Sequence, residues 1–104
     1  MDYNKIANKY TEAGIKDYQF KNALEVKKVL GYYFRTIRGF KILSEDNKVK
    51  AERLICMFIN GHGLEAREGL IPTSIKREHG KFTVHYKHYE SQVFSYLYDS
   101  GSVG

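Results

Sequence analysis

The clearest hydrophobic pattern lies in the middle of the chain and predicts a helix that ends near residue 60. Apolar residues there recur at i, i+3, i+4, i+7 and i+8, the spacing of one helical face: Ala51, Leu54, Ile55, Phe58 and Ile59. Ser44 supplies a capping hydroxyl, and the carboxylates of Glu45 and Asp46 follow it at the positive end of the helix dipole. Asn60-Gly61 favours termination of this helix.

A shorter helical pattern opens the chain. Asp2 can cap a helix that runs to Tyr10 or Thr11, and Gly14 is placed to end it. One stripe of this helix carries Tyr3, Ile6, Ala7 and Tyr10. Because isolated short helices are marginal in water, we expect the segment to fray unless it docks on the rest of the protein.

A second stripe begins after a predicted N-cap at Asp17 and allows two interpretations. Its apolar residues follow a 3-4-3-4-3 spacing: Ala23, Val26, Leu30, Tyr33, Ile37 and Phe40. Gly31 and Gly39 each weaken a helix by about 1 kcal/mol relative to alanine, and the sequence YYFRTI between them favours a strand. The chain either stays helical to about residue 40 or leaves the helix at Gly31 and forms a strand from Tyr32 to Ile37. We favour the long helix because the stripe does not break at Gly31.

Strand-forming sequence follows a short helical stretch, LEARE, that Gly69 interrupts. If His79-Gly80 forms a two-residue turn, two strands of a hairpin alternate between an apolar and a polar face. The apolar face would carry Ile75, Phe82, Val84 and Tyr86, and the polar face Lys76, Thr83, His85 and Lys87. The segment from Gln92 to Tyr98 can return as a third strand or form a terminal helix, and its strand propensity favours the strand.

These patterns predict an α+β fold. Two to three N-terminal helices would pack with a C-terminal antiparallel β-hairpin or three-stranded meander. Residues 1–98 are expected to form a single compact domain, since domains of about 100–150 residues are the commonest size. Residues 99–104, with the polar and glycine-rich sequence DSGSVG, are expected to form a flexible tail.

The distribution of charge extends the interpretation from fold to function. The net charge is +5, and residues 16–50 carry nine Lys and Arg against four acids. Residues 76–88 carry four against one, and the remaining residues sum to −3. Concentrated cations of this kind are typical of a protein that binds a polyanion, although solvated faces can carry a similar charge.

The basic hairpin is the first candidate for a binding surface. A projecting hairpin can place several cations against phosphates, and binding would then depend on salt. The alternative is an ordinary solvated hairpin whose lysines keep the sheet edge soluble. The predicted contacts on the hairpin are Lys76, Arg77, His79, Lys81 and Lys87.

The second candidate surface runs from Tyr32 to Lys41. It interleaves aromatic rings with Arg35, Arg38 and Lys41, a mixture that can stack bases while it neutralises phosphates. The alternative, which we favour, is a core-facing aromatic stripe with the cations on the wet side of the same helix. Arg35 and Arg38 are nevertheless included among the predicted nucleic-acid contacts.

The sequence LEAREGLI, followed after a short gap by the basic hairpin that ends in GKFTVHYK, resembles the second half of a winged helix-turn-helix DNA-binding domain. In that family a recognition helix closes with a Gly-Leu-Ile-like turn into a two-stranded wing. The helix reads the major groove, and the wing contacts the backbone or the minor groove. The resemblance covers residues 64–87 and implies that Arg67 ends the recognition helix. It also implies that Lys76, Arg77, His79 and Lys81 lie on the wing.

Other chemistry has little support in the sequence. Cys56 is the only cysteine, which excludes an intramolecular disulfide and a cysteine-based zinc site and fits a reducing, cytoplasmic setting. His85 and His88 could share a metal with Glu90 only if their segment were helical, because residues three apart on a strand point to opposite faces. We find no pairing of residues for acid-base or nucleophilic catalysis, no signal peptide and no apolar run of membrane-spanning length.

We therefore predict a small basic regulatory protein that binds nucleic acid, DNA rather than RNA, without enzymatic activity, metal or cofactor. It is expected to act in the cytoplasm without membrane association. The alternative is a protein-interaction module, an adaptor or inhibitor that uses exposed Tyr, Phe and Arg, since these residue types often carry interface energy. The nine Tyr and six Phe fit this alternative. A homodimer is compatible with either function.

Overall fold

The computed structural model describes residues 3–104, so the predicted cap at Asp2 lies outside the described residues. The helices are α1 (Tyr3–Glu12), α2 (Ala23–Leu30), α3 (Glu45–Asn60) and α4 (Leu64–Glu68). The strands are β1 (Leu70–Glu78), β2 (Lys81–His88) and β3 (Ser91–Tyr98), which form one antiparallel sheet in the order β1-β2-β3. The predicted α+β fold and three-stranded meander are confirmed, with four helices instead of two to three.

Helix α3 is the predicted central helix. The Ser44 hydroxyl accepts a hydrogen bond from the backbone N–H of Asn47 at 3.2 Å, as expected of an N-cap. All five residues of its apolar stripe are buried, and Cys56 is buried beside them. The ring of Phe58 packs edge-on against Tyr86 of β2, with 5.3 Å between the ring centroids. The apolar stripe of α3 therefore faces the inner side of the sheet.

Helix α1 lies where it was predicted and ends at Glu12, slightly beyond the predicted end at Tyr10 or Thr11, with Ile6 and Tyr10 buried. It docks on the helical side of the protein, where the Tyr10 ring lies 5.3 Å from the ring of Phe20. Docking of this kind supplies the stability that a helix of this length lacks in isolation.

Helix α2 corrects two predictions. Its N-cap is Asn22, whose side chain accepts from the N–H of Glu25 at 2.9 Å, whereas Asp17 lies in a short 3-10 turn with a φ of 56°. The helix does not continue to residue 40, because Gly31 adopts a left-handed φ of 85° and caps its end. The alternative strand from Tyr32 to Ile37 is also wrong, since this segment is irregular and contains a 3-10 turn at Phe34–Thr36.

The apolar stripe nevertheless reaches the core beyond Gly31. Ile37 and Phe40 of the predicted stripe are buried, although no helix carries them, whereas Tyr33 is only half-buried. Phe34, which the stripe did not include, is buried in its place. The favoured interpretation of a core-facing aromatic stripe is therefore correct for the burial of Ile37 and Phe40, and it is wrong for Tyr33 and for the backbone conformation of the segment.

Residues 38–40 attach to the edge of β1. The N–H of Arg38 donates to the carbonyl of Thr73 at 3.2 Å, and the N–H of Ile75 donates to the carbonyl of Arg38 at 2.8 Å. These bonds form an isolated parallel bridge between Arg38 and Ser74. Gly39 has a φ of 91°, and a Cβ there would overlap the carbonyl oxygen of Ile75. Only glycine permits so close an approach in this conformation.

The hairpin turn at His79-Gly80 is confirmed, since Glu78 pairs with Lys81 across it. Residues 99–104, expected to be a flexible tail, fold back along β3. The N–H of Tyr98 donates to the carbonyl of Ser102 at 2.9 Å, and Tyr96 and Gly104 exchange two backbone hydrogen bonds. In the part of the chain that the structure describes, no helix has the length and apolar character to span a bilayer.

Candidate nucleic-acid interface

The antiparallel register divides the side chains of the sheet between two faces. Ile75, Phe82 and Val84 are buried on the face that packs toward the helices. Their neighbours along each strand point the other way, because successive residues of a strand alternate. We call this second, solvent-facing side of β1, β2 and β3 the outer face.

Cations from three segments meet on the outer face. Lys76 of β1 and Lys81 and Lys87 of β2 alternate with the buried residues and therefore point outward. Arg38 joins them because its bridge partner Ser74 stands in register with His85, an exposed residue of the outer face. Four of the eight predicted contacts are thus brought to one surface: Arg38, Lys76, Lys81 and Lys87.

A row of aromatic rings lies on the same surface. Phe94, Tyr96 and Tyr98 occupy alternate positions of β3, and we call them the aromatic row. Their ring centroids are 5.5 Å and 6.3 Å apart in sequence order. Phe94 is 55% exposed, and the ring of His85 lies 5.7 Å from it. An exposed ring on a polar face has an unused apolar surface on which another ring system can stack.

Lys81 connects the cations with the aromatic row. Its Nζ lies 4.0 Å from the centroid of the Tyr96 ring, within the range of a cation–π contact. The same Nζ is 3.6 Å from a carboxylate oxygen of Glu78, the one acidic residue that the strands place on the outer face among residues 3–104. The outer face therefore carries a net positive charge even after this ion pair is counted.

Arg77, a predicted contact, points to the other side of the sheet. Its guanidinium donates to both carboxylate oxygens of Asp99, at 2.7 Å and 2.9 Å, and lies 4.6 Å from the centroid of the Phe82 ring. The hydrogen bonds from Arg77 hold the pKa of the Asp99 carboxyl below its ordinary value of 3.8. Arg77 thus fastens residue 99 to β1 and is committed to the fold in this structure.

The prediction that Arg67 contacts nucleic acid is also corrected, because the structure buries this side chain. Only 3% of its surface is exposed, and its guanidinium donates to the backbone carbonyls of Tyr18, Asn60 and His62 at 2.6, 3.0 and 2.9 Å. The group also lies 5.6 Å from the ring of Tyr10. A side chain so enclosed cannot reach a phosphate while the domain is folded. Its role as the end of a recognition helix has no support in this geometry.

The two remaining predicted contacts are exposed but separate. Arg35 lies in the turn at Phe34–Thr36, where it lines a groove between α2 and the first turns of α3. His79 lies at the tip of the hairpin, which does not project as an isolated arm. The N–H of Asp99 donates to the carbonyl of Gly80 at 3.0 Å, so the tip is tied to the end of β3.

The sequence interpretation missed the aromatic row. The signal was present in the segment QVFSYLY, where Phe94, Tyr96 and Tyr98 alternate with smaller or more buried residues. Strand periodicity alone could have placed the three rings on one face. It could not have shown that this face is also the face of Lys81 and Arg38, because that depends on the register between strands.

The described residues offer no geometry for metal binding or thiol chemistry. His85 points outward and His88 inward, as alternation requires. Among residues 3–104 no cluster of three or more His, Cys, Asp or Glu is arranged to hold a metal ion. Burial raises the pKa of the Cys56 thiol to about 12, so this cysteine is a poor nucleophile at neutral pH.

Comparison of the chain with known protein families, curated proteins and solved structures found no match. The resemblance of residues 64–87 to winged helix-turn-helix domains stays a prediction. The outer face is therefore interpreted from its own residues and geometry.

Proposed function

We propose that this protein is a small, non-enzymatic nucleic-acid-binding protein whose contact surface is the outer face of the sheet. The observation that carries the proposal is the coincidence of Arg38, Lys76, Lys81 and Lys87 with the aromatic row on one solvent-facing surface. Lysine and arginine neutralise phosphates, and exposed rings contact bases. Cations beside exposed rings therefore match the two parts of a nucleotide, the phosphate and the base.

The cations are available for phosphates. Within residues 3–104, the ion pairs of the structure engage Lys81 but none engages Arg38, Lys76 or Lys87. These three side chains are exposed and can contact a phosphate without first breaking a bond to a carboxylate.

A regulatory role and a cytoplasmic location, as expected from the sequence, belong to the same proposal. The buried, unpaired Cys56 is consistent with a reducing compartment.

The test removes the outer-face lysines together. The variant Lys76→Ala/Lys81→Ala/Lys87→Ala should weaken binding of a fluorescein-labelled oligonucleotide, measured by anisotropy. It should also flatten the dependence of log K on log salt by about 0.7–0.9 for each lost phosphate contact. The matched control is Lys16→Ala/Lys21→Ala/Lys28→Ala, which removes the same charge from exposed positions in the helical half.

This pair of variants distinguishes an effect of net charge on binding from an effect of the outer face. If both triple variants weaken binding equally, the attraction is only the overall positive charge and the proposed surface is wrong. If the wild-type protein binds neither single- nor double-stranded oligonucleotide at low salt, the function itself is wrong.

A protein-interaction module is the second candidate, and a different surface favours it. The groove between α2 and α3 is lined by Leu24 and Val49, which are 56% and 69% exposed, and by Tyr33. Exposed apolar residues beside aromatic ones are common at protein interfaces. The variant Leu24→Asp/Val49→Asp would abolish a protein contact that survives nuclease treatment in a pull-down. If nuclease removes every bound partner, this second function is unsupported.

A further inference from the structure

We infer that the outer face takes single-stranded nucleic acid, with unpaired bases stacked on the aromatic row and phosphates over the neighbouring strands. This inference rests on the proposed function and specifies its ligand. It is carried by the spacing of the rings, the exposure of Phe94 and the position of the cations beside them.

Ring spacing is the first step. Successive rings of the aromatic row meet edge-on, with centroids 5.5 Å and 6.3 Å apart and interplanar angles of 66° and 61°. Bases along one strand of a duplex are instead parallel and stacked about 3.4 Å apart. In a duplex both faces of each internal base are covered by its neighbours, so none is free to stack on a protein ring. Bases that match the aromatic row must be splayed apart, which is how single strands are bound on aromatic surfaces.

Access to Phe94 is the second step. Residues 102 and 104 pair with Tyr98 and Tyr96 and cover the edge of β3 there. Phe94 lies outside the part of β3 that this segment pairs with, and 55% of its surface is exposed. Phe94 is also the most exposed member of the row, while Lys81 lies over Tyr96. Phe94 is therefore the principal stacking position.

The position of the cations is the third step. Lys81 and Lys87 lie on β2, one strand spacing from the row, and Lys76 lies on β1, two spacings away, where each spacing is about 4.8 Å. A strand whose bases stack on β3 would run its phosphates over β2 and β1, toward these lysines. A base on Tyr96 would displace the Lys81 ammonium from the ring, and that ammonium could then bind a phosphate instead.

The experiment compares matched oligonucleotides of about 12 nucleotides, within the site size of small single-strand-binding folds. One labelled DNA strand of mixed sequence is titrated alone and annealed to its complement, and the same strand is also prepared as RNA. The single strand should bind more tightly than the duplex by about tenfold or more at the same salt concentration, since base stacking on a protein ring contributes about 1–3 kcal/mol. The DNA and RNA strands identify which single strand is preferred.

The variants distinguish stacking of a base on an aromatic ring from simple contact with an apolar side chain. Phe94→Leu keeps an apolar side chain but removes the ring, and should weaken single-strand binding at least about fivefold. Phe94→Tyr should keep near-wild-type affinity. Tyr3→Ala, which removes an exposed ring from α1, is the control and should have no effect.

A second readout is independent of mutation. Photocrosslinking of a strand that contains 5-iodouracil, followed by mass spectrometry, should label Phe94, Tyr96 or Tyr98. Equal affinity for single strand and duplex, with Phe94→Leu unaffected and crosslinks elsewhere, would overturn this inference and leave the proposed function standing. Absence of binding to every oligonucleotide would overturn both.

Discussion

The guanidinium of Arg67 donates to three backbone carbonyls inside the helical half of the protein, whereas Arg38, Lys76 and Lys87 extend into solvent from the outer face. All of these residues are cations in basic or mixed sequence, and composition cannot distinguish them. The difference teaches that the use of a cation depends on which acceptors the fold leaves without donors. Arg67 meets such acceptors within the protein, and the outer-face cations do not.

The acceptors around Arg67 explain its burial. Asn60 and His62 lie at the end of α3, where the last carbonyls have no partner within the helix and the dipole is negative. Tyr18 lies in a turn with a left-handed φ of 58°, a conformation that is costly for a tyrosine. One planar guanidinium can satisfy carbonyls from both segments at once, and the rings of Tyr10 and Phe20 enclose it.

Loss of Arg67 should give the largest effect on the fold. Arg67→Met would leave three part-buried carbonyls without their charged donor and should lower the free energy of unfolding by about 3 kcal/mol. Arg67→Lys should recover little of this, since an ammonium cannot bridge the same three oxygens. Urea denaturation measures the change, with Lys76→Met as the exposed control, expected within about 0.5 kcal/mol of wild type. An Arg67→Met variant as stable as the control would contradict the structural role.

Gly39→Ala should have a smaller effect that reaches the outer face. The added Cβ would overlap the carbonyl of Ile75 and strain a left-handed residue, at a cost of about 1–3 kcal/mol. Residues 38–40 should then leave β1, so the amide proton of Ile75 should exchange faster with solvent. Gly80→Ala is the matched control, because Gly80 also has a positive φ but open space around it. Equal exchange at Ile75 in both variants would show that the bridge does not depend on Gly39.

Asp99→Asn should have the smallest effect, and its size should depend on pH. Because the pKa of Asp99 is lowered in the folded protein, its carboxylate stabilises the fold above its ordinary pKa of 3.8, and the contribution is lost as pH falls through the lower folded value. The urea midpoint of the variant should therefore be slightly below that of wild type at pH 7. The two midpoints should converge in acid, as the pH falls below 3.8 and through the lower pKa of the folded protein. The same difference between the two urea midpoints at pH 7 and in acid would exclude the ion pair with Arg77 as its cause. Glu12→Gln on α1 is the control.

Elements defined by their own residues were predictable. The stripe and cap of α3, the His79-Gly80 turn and the strand propensity of the last segment each reside in a few consecutive residues, and the structure has all three. The predicted helix across Gly31 was wrong because the burial of the residues after it depends on distant contacts and not on neighbouring residues. Burial of Phe34, Ile37 and Phe40 is imposed by the core, and the spacing of buried residues resembles a helix even where the backbone is irregular.

The candidate site was predictable only in part. Lys76, Lys81 and Lys87 share a face by strand alternation, which local sequence contains. Arg38 reaches that face through a bridge to Ser74, and the aromatic row reaches it through pairing of β3 with β2. Both depend on contacts between residues far apart in the chain, as does the burial of Arg67. Local periodicity reports the preferences of neighbouring residues, whereas the partners of a side chain are settled by long-range packing and backbone hydrogen bonds.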